Sequence, residues 1–208
     1  MNTPSSDDIL DTIATLRRAV GSAHTGLPDD VFLFISSLTP MVNVDLLVRD
    51  GSGRVLLTWR EDAFYGPGWH IPGGIIRFKE QTADRIAAVA RSELSATVTF
   101  DKTPLCVHEM FNHTRDIRGH FISLLYACWL TAPLDELHRF QPDQPRAGGW
   151  AWHAACPPNL IPPHHVYRRW FAQTTPPHDP AMGEDSAAPL GLSCLDPSGM
   201  GMTSMLLR

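Results

Sequence analysis

The residues best placed to do chemistry lie between Gly68 and Val98, where the glycine pair Gly73-Gly74 precedes a helical run that carries Glu93. Glycine has no Cβ, so backbone at such a pair comes close to a ligand. Mg2+ takes about six oxygen ligands, dehydrates reluctantly, and is commonly held by one or two carboxylates together with substrate phosphates. The Gly73 carbonyl and the Glu93 carboxylate, completed by substrate phosphate oxygens and water, would make a site of that kind, with weak metal affinity until substrate arrives. Taken alone, Glu93 is equally a solvated helix carboxylate. Glu80, just before the helix, is a further candidate ligand or simply a favourable charge at the helix N-terminus. Arg60 ends a strand and its planar fork suits a phosphate. Asp45 is a charge inside an aliphatic strand, which points to a polar contact in a pocket.

These residues need particular elements to position them. Asp7 to Ala23 has helical spacing of Ile9, Ile13, Leu16 and Val20, with Ser6 or Asp7 as N-cap. Asp29 to Ser36 reads as a short helix or extended arm. Met41 to Arg49 alternates as a strand, with Val42, Val44, Leu46 and Val48 on one face, and Arg54 to Trp59 returns from the Asp50-Gly51-Ser52-Gly53 turn as a hairpin. Gln81 to Ala96 is helical. On the ridge that carries Glu93 its neighbours Ile86, Val89 and Ala90 are apolar, so only one carboxylate remains there. Further strands are expected near Val98 to Met110, His120 to Thr131 and Gly149 to His153, and a closing helix near Val166 to Gln173. Residues 1–39 form an N-terminal helical arm and residues 40–173 the main domain. Residues 174–208, rich in proline, glycine and small polar residues, are expected to be mostly disordered.

The stretch GWHIPGGIIRFKEQTADRIAAVARSELSATV also resembles the Nudix box, a glycine, a glutamate, an Arg-Glu pair and a Glu-Glu pair at fixed spacing before a final glycine. Gly74 and Glu80 keep the first interval, and Glu93 falls on the last glutamate. The chain departs from the box at Ala88-Val89, Ser92 and Ser95. Within that superfamily it is similar to the GDP-mannose mannosyl hydrolases, whose box is also depleted to one helix glutamate. The similarity runs from Pro28 to Trp152 and sets Asp45, Arg60, Gly73 and Glu93 in register with residues that group uses for substrate and metal.

The resemblance implies an α/β Nudix fold, a mixed β-sheet sandwiched between helices in α/β/α layers. It also implies hydrolysis of a nucleoside diphosphate sugar, such as a GDP-linked hexose, with Mg2+ or Mn2+ as cofactor. The metal stabilises the departing diphosphate while water attacks the glycosyl carbon. Glu93 and Arg60 carry that chemistry, and Asp45 and Arg60 bind substrate. Two arginines of the related enzymes are replaced here by Ile75 and Ala88, and Arg77 and Arg85, on the same faces, are the expected substitutes. The late loop that carries the family's basic histidine is here Asp143 to Trp150 and has none, so His113 is chosen as base from His108, His113 and His120. The resemblance also implies a homodimer, through an N-terminal arm that crosses to a second subunit. Two rival readings are attack at phosphorus on another nucleoside diphosphate compound, and a degenerate domain that binds a nucleotide metabolite without turnover.

The bulk properties agree with a small-molecule enzyme. The 208 residues suffice for one domain with a full core, and the hydrophobic and charged fractions, 43% and 19%, are ordinary for a globular protein. A net charge of −5 argues against nucleic acid as the partner, no apolar run is long enough for a membrane span, and the start lacks a secretory pattern. The four cysteines form no CxxC pair, which argues against structural zinc and against a disulfide framework; a cytoplasmic setting is expected.

Overall fold

The computed structural model describes residues 5–172. The expectation for residues 174–208 lies outside the described residues. The first helix, α1 (Ser6–Val20), opens on a capping box in which Ser5 Oγ accepts the Asp8 N–H at 3.2 Å and the Asp8 carboxylate accepts the Ser5 N–H at 3.0 Å. The cap is therefore Ser5, not Ser6 or Asp7, because Ser5 has the partner three residues on that closes the box. The helix stops at Val20, short of Ala23, because Gly21 turns the chain to φ 59. A short helix, α2 (Asp29–Ile35), follows.

Two sheets build the body. Strands β1 (Met41–Val48), β4 (Gly73–Ile75), β5 (Val98–Phe100), β6 (Cys106–Phe111) and β7 (His120–Leu130) form a mixed sheet, in which β1 runs parallel to β7 and antiparallel to β4. Strands β2 (Val55–Arg60), β3 (Gly68–His70) and β8 (Trp150–His153) form a smaller antiparallel sheet. The expected hairpin of β1 and β2 is thus reduced to one bridge, Arg49 to Val55. Both edges of β1 are already taken, by β4 and by β7, so β2 has no edge left and departs into the second sheet. The strand expected over Val98 to Met110 is likewise two strands, which pair in turn with the long β7 on either side of Pro104. Proline has no N–H to give to a ladder.

Helix α3 (Thr82–Leu94) lays Ile86, Val89, Ala90 and Leu94 on Val44, Leu46 and Val48 of β1. On the opposite side Leu47 and Leu125 meet Val55, Leu57, Ile71 and Tyr167. Tyr167 belongs to a 3-10 helix over Pro162–Phe171, which starts earlier than the helix expected at Val166 because Pro162 and Pro163 preset its first turn. Because both faces of β1 are covered, Asn43 to Arg49 are all buried and the strand loses its amphipathic alternation, while Val42 at its start remains 42% exposed. Each fully buried leucine or isoleucine contributes roughly 1.5–3 kcal/mol. The architecture is the α/β arrangement expected from the sequence, helical layers about a mixed sheet.

The C-cap of α3 is Ser95, held at φ 51 and ψ 33. That left-handed conformation favours glycine, because a Cβ crowds the following carbonyl. Ser95→Gly is expected to raise stability by about 0.5–1 kcal/mol, read as a higher urea midpoint at unchanged slope.

Candidate active site

The chain passes from the small sheet to the large one through Ile71 and Pro72. Before this crossing, β3 pairs His70 with Thr58 of β2, and after it, β4 pairs Gly73 with Asp45 of β1. The Pro72 carbonyl accepts the Leu46 N–H at 2.8 Å and locks the crossing. A Cβ at Gly73 would stand 2.9 Å from the Val44 carbonyl oxygen, and one at Gly74 would stand 2.8 Å from Val89 Cγ2. Glycines at both positions therefore let β4 lie tightly between β1 and α3, which carries Glu93 to the crossing.

Here a cavity of about 480 Å3 opens, lined by Asp45, Thr58, Arg60, His70, Gly73 and Glu93 among others. Glu93 Oε2 lies 3.1 Å from His70 Nε2 and accepts the Thr58 hydroxyl at 3.4 Å, while Oε1 accepts the Gly73 N–H at 3.4 Å. Its side chain is 27% exposed and reaches solvent through the cavity. Ile86, Val89 and Ala90 are sunk in the core, so Glu93 is the carboxylate that α3 gives to this space. Among the described residues no three carboxylate, imidazole or thiolate groups converge to hold an ion. A hard divalent cation held by Glu93 and by backbone at Gly73 must therefore complete its shell with phosphate oxygens and water, and the donor set fits Mg2+ on those terms.

Asp45 is buried. Its Oδ2 accepts the Ser123 and Tyr167 hydroxyls, and its Oδ1 accepts the Asn43 side-chain N–H at 3.0 Å. Burial pushes its carboxyl up to about 6; Ser123 and Tyr167 oppose the rise and Glu93 adds to it. Arg60 is ion-paired with Asp62, which also accepts the N–H groups of Phe64 and Tyr65 and so fixes the loop after β2. Both cavity histidines, His70 and His164, are buried, and His164 Nδ1 accepts the Ile71 N–H at 3.0 Å. Burial drives its pKa well down and keeps it neutral, with His70 adding to the effect.

The structure thus brings Asp45, Arg60, Gly73 and Glu93 together, and leaves four other candidates out of the cavity lining. Glu80 and Arg85 pair with each other through a forked contact at 2.8 and 2.9 Å, and Glu80 also accepts the Arg77 N–H, which holds these side chains outside the cavity lining. The Arg77 guanidinium turns away to the His24 carbonyl at 3.3 Å. His113 is exposed in the β6–β7 loop and stacks on Phe111 at 5.6 Å. Sequence reasoning missed Thr58, His70, Ser123 and Tyr167. His70 had a signal, as a polar residue directly before Ile71-Pro72-Gly73-Gly74, but its facing toward α3 depends on the sheet crossing.

Asp45 carries a pH dependence whose sign follows from its raised pKa. The protonated form is favoured in the folded state, so the stability from this group is complete below about pH 4 and is lost as pH rises through about 6. In metal-free protein, the stability difference between wild type and Asp45→Asn should change by about 2 kcal/mol between pH 4 and 7, in the direction that favours the variant at high pH. Parallel denaturation curves for the two proteins across this range would exclude the assignment.

No family model matches the sequence. The low-salt glycan biosynthesis protein Agl8 of Haloferax volcanii is 35% identical over 107 residues, which cover 51% of this chain and 67% of that protein. The MutT Nudix hydrolase of Burkholderia pseudomallei superposes with a TM-score of 0.50 at 22% identity, covering 66% of this chain and 99% of its own. A MutT protein from Methanosarcina mazei Go1 gives 0.48 at 17% identity, covering 64% and 92%. With a glycine pair at the sheet crossing and a helix glutamate behind it, this chain has the fold of the Nudix hydrolases.

Proposed function

We propose that the chain is a Mg2+-dependent hydrolase of a nucleoside diphosphate sugar, a GDP-linked hexose in the first instance. It would release sugar and nucleoside diphosphate by water attack at the glycosyl carbon. The observation that carries this reading is the single carboxylate, Glu93, that α3 offers to the cavity. Attack at phosphorus through several metals needs several helix carboxylates, and here their places are taken by Val89, which is in the core, and by Ser92, which lines the cavity without a carboxylate. A single ion suffices to stabilise a departing diphosphate. The glycan biosynthesis role in the name of the Haloferax relative supports a sugar-bearing substrate.

When bound, Mg2+ supplies Lewis-acid stabilisation of the diphosphate leaving group. Glu93 and the backbone of Gly73 hold it, and His70 and Thr58 fix the Glu93 carboxylate before any ion arrives. Arg60, which keeps a part-exposed guanidinium beside Asp62, binds a phosphate oxygen. Asp45, on the cavity wall, takes a sugar hydroxyl. His70 is the lining imidazole not committed to a backbone N–H, and in this reading it takes the role that the sequence gave to His113.

The chain is also proposed to act as a homodimer. Helix α1 buries none of its residues on its own chain and leaves Ile9, Leu10 and Ile13 exposed, at 47%, 62% and 40%. That is an apolar stripe suited to a second copy. Sedimentation should give twice the monomer mass, and Leu10→Asp with Ile13→Asp should shift it to the monomer; a monomeric wild type would refute the arm's role.

Turnover of GDP-mannose with Mg2+ in 18O water should place the label in the sugar. Label in phosphate would establish attack at phosphorus, and absence of turnover with retained binding would leave a nucleotide-binding domain. Glu93→Gln should lower kcat about 100-fold or more, at a melting temperature close to wild type.

A further inference from the structure

The positive charge that the sequence assigned to Arg77 and Arg85 is engaged elsewhere, and a different arginine stands in the cavity. Arg118 lies in the β6–β7 loop at φ 51, and its backbone N–H donates to Ser36 Oγ, just past α2, at 3.1 Å. Its guanidinium lies over Phe64 at 4.8 Å and over Phe32 of α2 at 5.5 Å, and its side chain lines the same cavity as Arg60. Its Nε is buried with no partner among the described residues. A buried donor left unpaired is unfavourable, so the loop holds this guanidinium ready for an acceptor from outside the chain.

The local charge count points the same way. Arg60 is paired with Asp62. Arg115 donates to the Phe64 carbonyl at 2.6 Å and packs on Tyr65 at 4.5 Å, which makes it a strut of the aromatic loop. Arg118 forms no ion pair among the described residues. Burial and the neighbouring Arg60 both push the Arg118 guanidinium down from its ordinary value. Two like charges lining one cavity, with Asp62 paired to one of them, suit an anion. Stacking on aromatic rings holds the planar fork in one orientation, which suits a phosphate better than a flexible ammonium does.

We propose that Arg118, with Arg60, forms the binding subsite for the terminal phosphate of the diphosphate group, supplied by a loop outside the Nudix box. This rests on the nucleoside diphosphate reading above and adds the residue that fixes the phosphate end.

The test is calorimetric binding of inorganic pyrophosphate and of GDP, each with Mg2+, to the full chain. Arg118→Ala should weaken both by tenfold or more and reduce the salt dependence of binding. Arg118→Lys, which keeps charge but not the fork, should fall between. Arg115→Ala, which loosens the same loop without touching the cavity lining, should bind pyrophosphate like wild type. Equal binding by Arg118→Ala and wild type overturns the proposal, as does equal weakening by the Arg115 and Arg118 variants, which would make the effect one of loop structure. Pyrophosphate binding that depends on Arg118 without any GDP binding upholds the subsite and defeats the nucleotide reading. If wild type binds neither, both fall.

Discussion

The close approach of β4 to its two neighbours is the constraint on which the site depends. At Gly73 and Gly74 the chain has crossed from one sheet to the other and lies between the β1 backbone on one side and α3 on the other. Any Cβ there would force the layers apart. The separation that glycine permits allows one cavity to hold a carboxylate from β1, one from α3, an imidazole from β3 and a hydroxyl from β2. Tight packing at these two positions and assembly of the site are one event.

Burial then gives the two acids different characters. Asp45 is enclosed and satisfied by three internal donors, so its charge is expensive and its proton is held more tightly. Glu93 sits at the cavity edge, braced by weaker contacts, and keeps access to solvent. Under the proposed function, a cation that needs several oxygens from outside the protein would be served by the exposed acid, while the enclosed one would keep a fixed polar contact. The same contrast separates the arginines. Arg85 and Arg60 have carboxylate partners, whereas Arg118 is held by aromatic faces, which orient a cation without neutralising it.

The N-terminal segment links the fold to this charge. Ser36 and Phe32 hold Arg118 through its backbone and its ring contact, so α2 acts as a buttress for the cavity wall. Helix α1, which has no fully buried residue, leaves Ile9, Leu10 and Ile13 exposed.

The sequence by itself determined the elements with strong local signals. Helix α3 was legible from its apolar spacing, β1 from its aliphatic run, and the glycine pair from the absence of side chains where a ligand needs room. The residues Asp45, Arg60, Gly73 and Glu93, which line one cavity, stood out in the sequence too, because each is an oddity in its element or falls in a spaced motif. Which strands pair was decided only in the tertiary structure, since the Asp50 to Gly53 turn looks local and β1 spends both edges on distant partners. The fate of the charged side chains was also decided there. Arg77, Arg85 and Glu80 have the right spacing for a site, but a side chain goes to the partner that lies nearest in space, and theirs lie outside the cavity. His70 and Arg118 reach the cavity, and Tyr167 reaches Asp45 behind its wall, from elements far apart in the chain, and no spacing rule connects residues that only folding brings together.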